Sequence, residues 1–119
     1  MSDDKAARGM AMLRKLFGED VAEPAFPDDL KRYTVEHLFG DVWQGDDLTT
    51  EERSLITCTA LIALGREAEQ RIHFRGARNL GIPRKKIEAL LAHLAHYAGW
   101  PVAVSANRNL NEVWPERAD

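Results

Sequence analysis

Glu69 and His73 stand four residues apart in a stretch with helical patterning. At about 100° per residue that spacing brings a carboxylate and an imidazole to one side of a helix, close enough to pair. A carboxylate beside an imidazole fixes its tautomer and raises its pKa, which suits a proton donor. Arg66, Gly76, Ala77 and Leu80 fall on the same face, and its small and apolar members direct that face inward. Arg66, Glu69 and His73 are therefore expected to point to the interior or a pocket, with Arg71, Arg75 and Arg78 on a solvated far side. A Glu–His pair on a packed helix also serves as a plain structural contact, so spacing alone leaves both roles open.

The other histidines are read in the same way. His93 falls on the flank of an apolar stripe and can face a cleft between helices; His96 points nearly opposite, to solvent or a subunit contact. His37 lies beside Tyr33 at a core edge. No histidine pair at ligand spacing has a third ligand nearby, so no metal site is expected. Trp43, Trp100 and Trp114 read as core or interface anchors, and Trp43 can instead wall a pocket. Cys58, the single cysteine, can build neither an internal disulfide nor a zinc site.

The elements that must position these residues are helical throughout. The chain has 119 residues, 45% of them hydrophobic, enough for one modest core and so for one domain over residues 1–119. A first helix is predicted over Lys5 to Phe17, with Met10, Leu13 and Phe17 on one face. Gly18 stops it, and Pro24 and Pro27 mark a linker. Leu30, Tyr33 and His37 share a face of a second helix ending near Gly40, and a loop from Asp41 to Leu48 carries Trp43. Thr49 and Glu52 fit a capping box that opens a third helix whose interior, Leu55 to Leu64, is apolar or small nearly all round. A helix without a polar face is buried on all sides, and so short a chain is expected to use partner subunits to cover it. Gly65 precedes a fourth helix, Arg66 to Leu80. Gly81 and Pro83 then separate it from a fifth with Ile87, Leu90, Leu91, Leu94 and Ala98 as core stripe. Pro101 opens a sixth, running to about Val113.

Sixteen Lys and Arg against nineteen Asp and Glu give a net charge of −3 with the signs interspersed, unlike a nucleic-acid binder. The charged segment Met1 to Ala7 lacks the apolar stretch of a signal peptide, and no apolar run is long enough to span a bilayer. A soluble cytoplasmic protein is the expectation.

The segment from Glu69 to Gly81, with His73 four after Glu69, then Arg75-Gly76-Ala77 and Asn79 before the closing glycine, resembles the signature helix of the carboxymuconolactone decarboxylase family. Gly40-Asp41-Val42-Trp43 resembles its Gly-acidic-apolar-Trp turn, and Arg53 to Thr57 the start of its central helix. Leu90-Leu91-Ala92-His93, continuing to Tyr97, Gly99 and Pro101, is similar to a fourth block, so the likeness runs over roughly residues 6 to 114. It implies an all-α, six-helix alkylhydroperoxidase D-like fold, assembled as a homotrimer or hexamer. It also implies loss of carbon dioxide from 4-carboxymuconolactone in aromatic degradation. In that reaction the electron pair spreads into an unsaturated lactone, so neither metal, thiamine nor pyridoxal is required. By resemblance His73 is the acid or oxyanion donor, Glu69 orients it, and Trp43, His93, Arg66 and His37 help bind the acidic lactone.

The chain differs from a sister branch at one place and from the family's decarboxylases around the turn, where His37 also replaces the usual aromatic before it. The sister branch of dithiol peroxidases carries a Cys-x-x-Cys pair where Arg66 and Glu69 stand here, which removes that mechanism. After the turn tryptophan, where the decarboxylases usually continue x-Arg-Pro-Gly-Leu, this chain has Gln44-Gly45-Asp46-Asp47-Leu48. If the arginine grips a substrate carboxylate, a cation is lost and two anions are gained. A different small substrate, or a non-catalytic binding oligomer that keeps the Glu69–His73 pair for stability, are the other readings.

Overall fold

The computed structural model describes residues 2–116; among them there is no strand, and the six expected α-helices are present. They fall into two compact units that meet in sequence at Thr50 and Glu51.

The first unit contains α1 (Ser2–Phe17) and α2 (Asp28–Arg32), which continues as a π-helical segment, Tyr33–Phe39, and then a 3-10 turn, Val42–Gln44. Its packing is dictated by Gly9. A Cβ there would sit 1.9 Å from the carbonyl oxygen of Val35, so only glycine lets α1 lie against the π-helical backbone. Leu13, Leu16, Val35, Phe39 and Trp43 fill the space alongside. Phe39 meets Phe17 edge-on at 6.3 Å and Trp43 at 5.6 Å. The face expected to turn inward, Leu30, Tyr33 and His37, is instead exposed. The wider π winding shifts side chains off α-helical spacing, and the close approach at Gly9 selects the Val35 side.

The second unit is a bundle of α3 (Thr50–Ala63), α4 (Glu67–Asn79), α5 (Arg84–Ala98) and α6 (Trp100–Val113). Phe74, Ile62, Ile87 and Leu110 centre its core. Only Gly99 separates α5 from α6. α3 ends where Gly65 takes φ +71°; Gly65 N donates to Ile62 O and Arg66 N to Leu61 O, the paired bonds of a glycine-terminated helix. Arg84 on α5 clasps the end of α6, donating to Trp114 O at 2.8 Å and to Asn111, while also pairing with Glu88. Within one chain α3 is covered on one side only, in keeping with the expectation that so short a chain could not cover it alone. Ser54, Cys58 and Ile62 form a buried stripe at four-residue intervals, whereas Ile56 and Leu64 are exposed. No helix among the described residues is long and apolar enough to cross a membrane.

The Gly9 contact is testable. Gly9→Ala forces a methyl into the Val35 carbonyl, and overpacking of this kind costs about 1–3 kcal/mol. Urea denaturation should show that loss as a lower midpoint; an unchanged midpoint would mean that α1 does not approach the π-helix so closely.

Candidate active site

Helix α4 carries the acid and the imidazole, and its rotation decides their surroundings. The core takes Gln70, Phe74 and Ala77, at spacings of four and three, as the inward stripe. Seen down the axis, His73 lies about 60° and Glu69 about 100° from Gln70. His73 is accordingly half-buried, Glu69 keeps 45% of its side chain exposed, and Arg66 at the helix start is exposed. The predicted inward face is thus the flank of the real one. Gly76 and Ala77 are buried as expected, but Gln70, which was not placed on that face, occupies the centre.

The His73 imidazole has its Nδ1 shut off from solvent. Burial holds it below the ordinary value of 6.5; the negative charge of Glu69 acts in the opposite direction and is the smaller effect. The rise expected from a neighbouring carboxylate is therefore reversed. Glu69 lies one turn away and spends its closest ionic contact on Arg66, whose Nε is 3.4 Å from Oε1. Such an exposed pair is worth little in stability, but it holds the carboxylate toward the N-terminal end of α4. At neutral pH the site consequently presents an uncharged imidazole, a carboxylate and a guanidinium along one helix flank. Behind His73, the Cys58 thiol of α3 reaches its backbone carbonyl at 3.8 Å. Cys58 is fully buried, and burial pushes its thiol up to about 12, so no thiolate is at hand for redox chemistry.

The remaining candidates sit elsewhere. His93, read as able to face a cleft between helices, is exposed on α5, its ring 5.0 Å from that of Tyr97, which is itself 79% exposed. The stripe of Ile87, Leu91 and Leu94 is narrow enough to leave that flank outside. His96 is exposed as expected, with Nδ1 2.8 Å from Ala92 O. Trp43 belongs to the first unit and is 7% exposed, a core residue stacked on Phe39. His37, in the same unit, lines an open cleft of about 360 Å³ with Lys5, Arg32, Tyr33 and Glu36. Its Nδ1 is 3.9 Å from Asp41 Oδ2, and Lys5 Nζ is 3.8 Å from the same oxygen. Among the described residues no three His, Cys, Asp or Glu side chains gather as a metal-ligating group.

Two buried amides were not foreseen. Gln70 and Asn109, 1% and 0% exposed, are hydrogen-bonded to each other at 3.0 Å between α4 and α6. The signal was available: each polar residue interrupts an otherwise apolar stripe, Gln70 four before Phe74 and Asn109 between Ala106 and Leu110.

With this geometry in view, residues 28–112 match the carboxymuconolactone decarboxylase family. The chain is 34% identical over 91 residues to a 4-carboxymuconolactone decarboxylase of Acinetobacter baylyi, covering 76% of this chain and 68% of that protein. It is 29% identical over 104 residues to a nitrosuccinic acid decarboxylase of Metarhizium robertsii, covering 82% and 73%. The chain belongs to the carboxymuconolactone decarboxylase family.

Proposed function

We propose that this protein is a carboxy-lyase acting on a small acidic molecule, 4-carboxymuconolactone or a close analogue, with His73 as the central catalytic group. The observation that carries the reading is the half-buried, desolvated imidazole on the flank of α4 with a carboxylate one turn away. The names of the two relatives support the substrate class. A carboxymuconolactone and a nitrosuccinic acid both hold a carboxylate beside a group that can accept an electron pair, a lactone carbonyl in one and a nitro group in the other. In such a reaction the C–C bond breaks, its electrons move onto the acceptor oxygen, carbon dioxide leaves, and a proton is added at carbon.

A neutral imidazole suits the second of those steps. Its N–H donates a hydrogen bond to the oxygen where charge collects, and a desolvated surrounding strengthens that bond. Because burial keeps the ring uncharged at neutral pH, His73 acts here as an oxyanion donor, and the carbon proton comes from water. Glu69 fixes the tautomer through its charge, and Arg66 beside it offers a cation to the acidic substrate. The thiol of Cys58 takes no part, which sets this chain apart from dithiol peroxidases.

The partner in this reading is a second copy of the chain, in a trimer or hexamer. Ile56 of α3 and Leu64 just after it stand uncovered, and α5 and α6 form a groove of about 270 Å³ with a floor of Ala92, Ala95 and Ala103 beside exposed Trp100. Small residues let another backbone come close, and the exposed aromatic ring supplies area to bury.

A second reading keeps the chemistry and changes the acid. Gly45, Asp46 and Asp47 are all exposed, where the family's decarboxylases carry an arginine in the turn. A substrate with fewer carboxylates fits such a turn better.

Four measurements test these statements. Purified protein should discharge the ultraviolet absorbance of 4-carboxymuconolactone, and His73→Ala should lower kcat by roughly 10²–10³-fold, the cost of removing one oxyanion donor; equal rates in both proteins would remove His73 from the chemistry. A ring with a lowered pKa is neutral until pH falls through that lowered value, so the acid limb of kcat/KM should lie below 6.5. Activity that instead falls as pH rises through the pKa of the ring would mean that the charged ring is the active form. Gly45→Arg should leave turnover of this lactone low if the natural acid is a different one, and a strong gain would favour the lactone. Native mass measurement should give three or six chains; a monomer at micromolar concentration would contradict self-association.

A further inference from the structure

The two buried amides tie α4 to the helices on either side of it. Gln70 Nε2 donates to the carbonyl of Leu61, in the last turn of α3, at 3.2 Å. A carbonyl can only accept, so this bond fixes which way the Gln70 amide points and turns its Oε1 toward α6. There Oε1 accepts from Asn109 Nδ2 at 3.0 Å, and the same nitrogen gives its other proton to Glu67 Oε1 at 3.2 Å. One polar chain thus runs from the end of α3 through the first turn of α4 to the middle of α6.

We infer that this Gln70–Asn109 pair is the positioning device of the candidate site, setting the rotation of α4 that places Glu69 and His73. The inference rests on the reading of those two residues as the site. Apolar contacts are satisfied over a range of rotations, whereas hydrogen bonds between buried amides are directional, and losing one leaves a desolvated group unpaired. Arg66, at the N-cap of α4, makes no side-chain capping bond, so the buried amides grip a first turn that lacks one. Glu67 and Gln70 are one turn apart and both held by Asn109, so α4 is gripped at two points next to Glu69 and one turn before His73. A rotation of about 20° would carry a side-chain tip roughly 2 Å, and misplacement by about 1 Å can cost a factor of 10² in rate. The pair is also a costly choice for stability alone, because apolar side chains of similar shape fill such a site at little or no loss.

The experiment replaces both amides at once, Gln70→Met with Asn109→Leu, in the full chain. The variant should keep the wild-type melting temperature yet lose turnover of 4-carboxymuconolactone by roughly 10–100-fold in kcat with KM little changed. Its His73 ring, followed by NMR, should titrate at a different pH from the wild-type ring. A folded double variant with unchanged His73 titration and unchanged kcat would overturn the inference. If the double variant does not fold, Glu67→Ala, at an exposed position, takes its place, and the same pair of unchanged readings there overturns it. Absence of turnover by the wild type would count against the proposed reaction, not against positioning, which the NMR titration still judges.

Discussion

Helix α4 must bury a narrow stripe, and the first turn of that stripe is polar. Because Gln70, Phe74 and Ala77 occupy the core, His73 is left on the flank, Glu69 beyond it and Arg66 outside. Desolvation therefore falls off in steps across one side of the helix. The imidazole is deep enough for burial to outweigh the neighbouring carboxylate, while the carboxylate is shallow enough to stay hydrated and meet a guanidinium. Rotating the helix toward its predicted phase would bury Glu69 and Arg66, at a cost that two half-paired charges could not offset. The protonation state of the site is thus a consequence of how the core is filled.

The boundaries of the helices were legible because glycine and proline mark them. Gly65 and Gly81 close α3 and α4 with positive φ, and Pro101 sits in the first turn of α6. The signature segment was legible as well, and its family assignment stands. What eluded the sequence was rotational phase. A polarity pattern counts Gln70 as solvent-facing and glycine as inward, and cannot know that Asn109, 39 residues later, supplies the partner that makes burial tolerable. The same limit applies to Leu30, Tyr33 and His37, whose α-helical spacing lost its meaning once the segment wound as a π-helix. His93 stands at the edge of the α5 stripe and is exposed, and a stripe edge does not tell which flank a neighbour covers.

The turn after Trp43 separates what the fold needs from what a ligand needs. Trp43 packs on Phe39, and Gln44 Nε2 ties the turn back to Phe39 O at 2.9 Å. These contacts lie within the first unit and explain why the tryptophan persists there. Gly45, Asp46 and Asp47 are exposed, so changes at these three positions carry little cost for the packing beneath. An arginine lost from such a place removes charge without removing structure. On the proposed reading the chemistry asks only for an oxyanion donor and a carboxylate set to leave, both compatible with the α4 flank, whereas the rest of the acid is free to differ from one enzyme to another. Two relatives whose names give different acids for one kind of bond cleavage fit that division: the step they share needs the same electron flow, and the parts in which their substrates differ need different contacts.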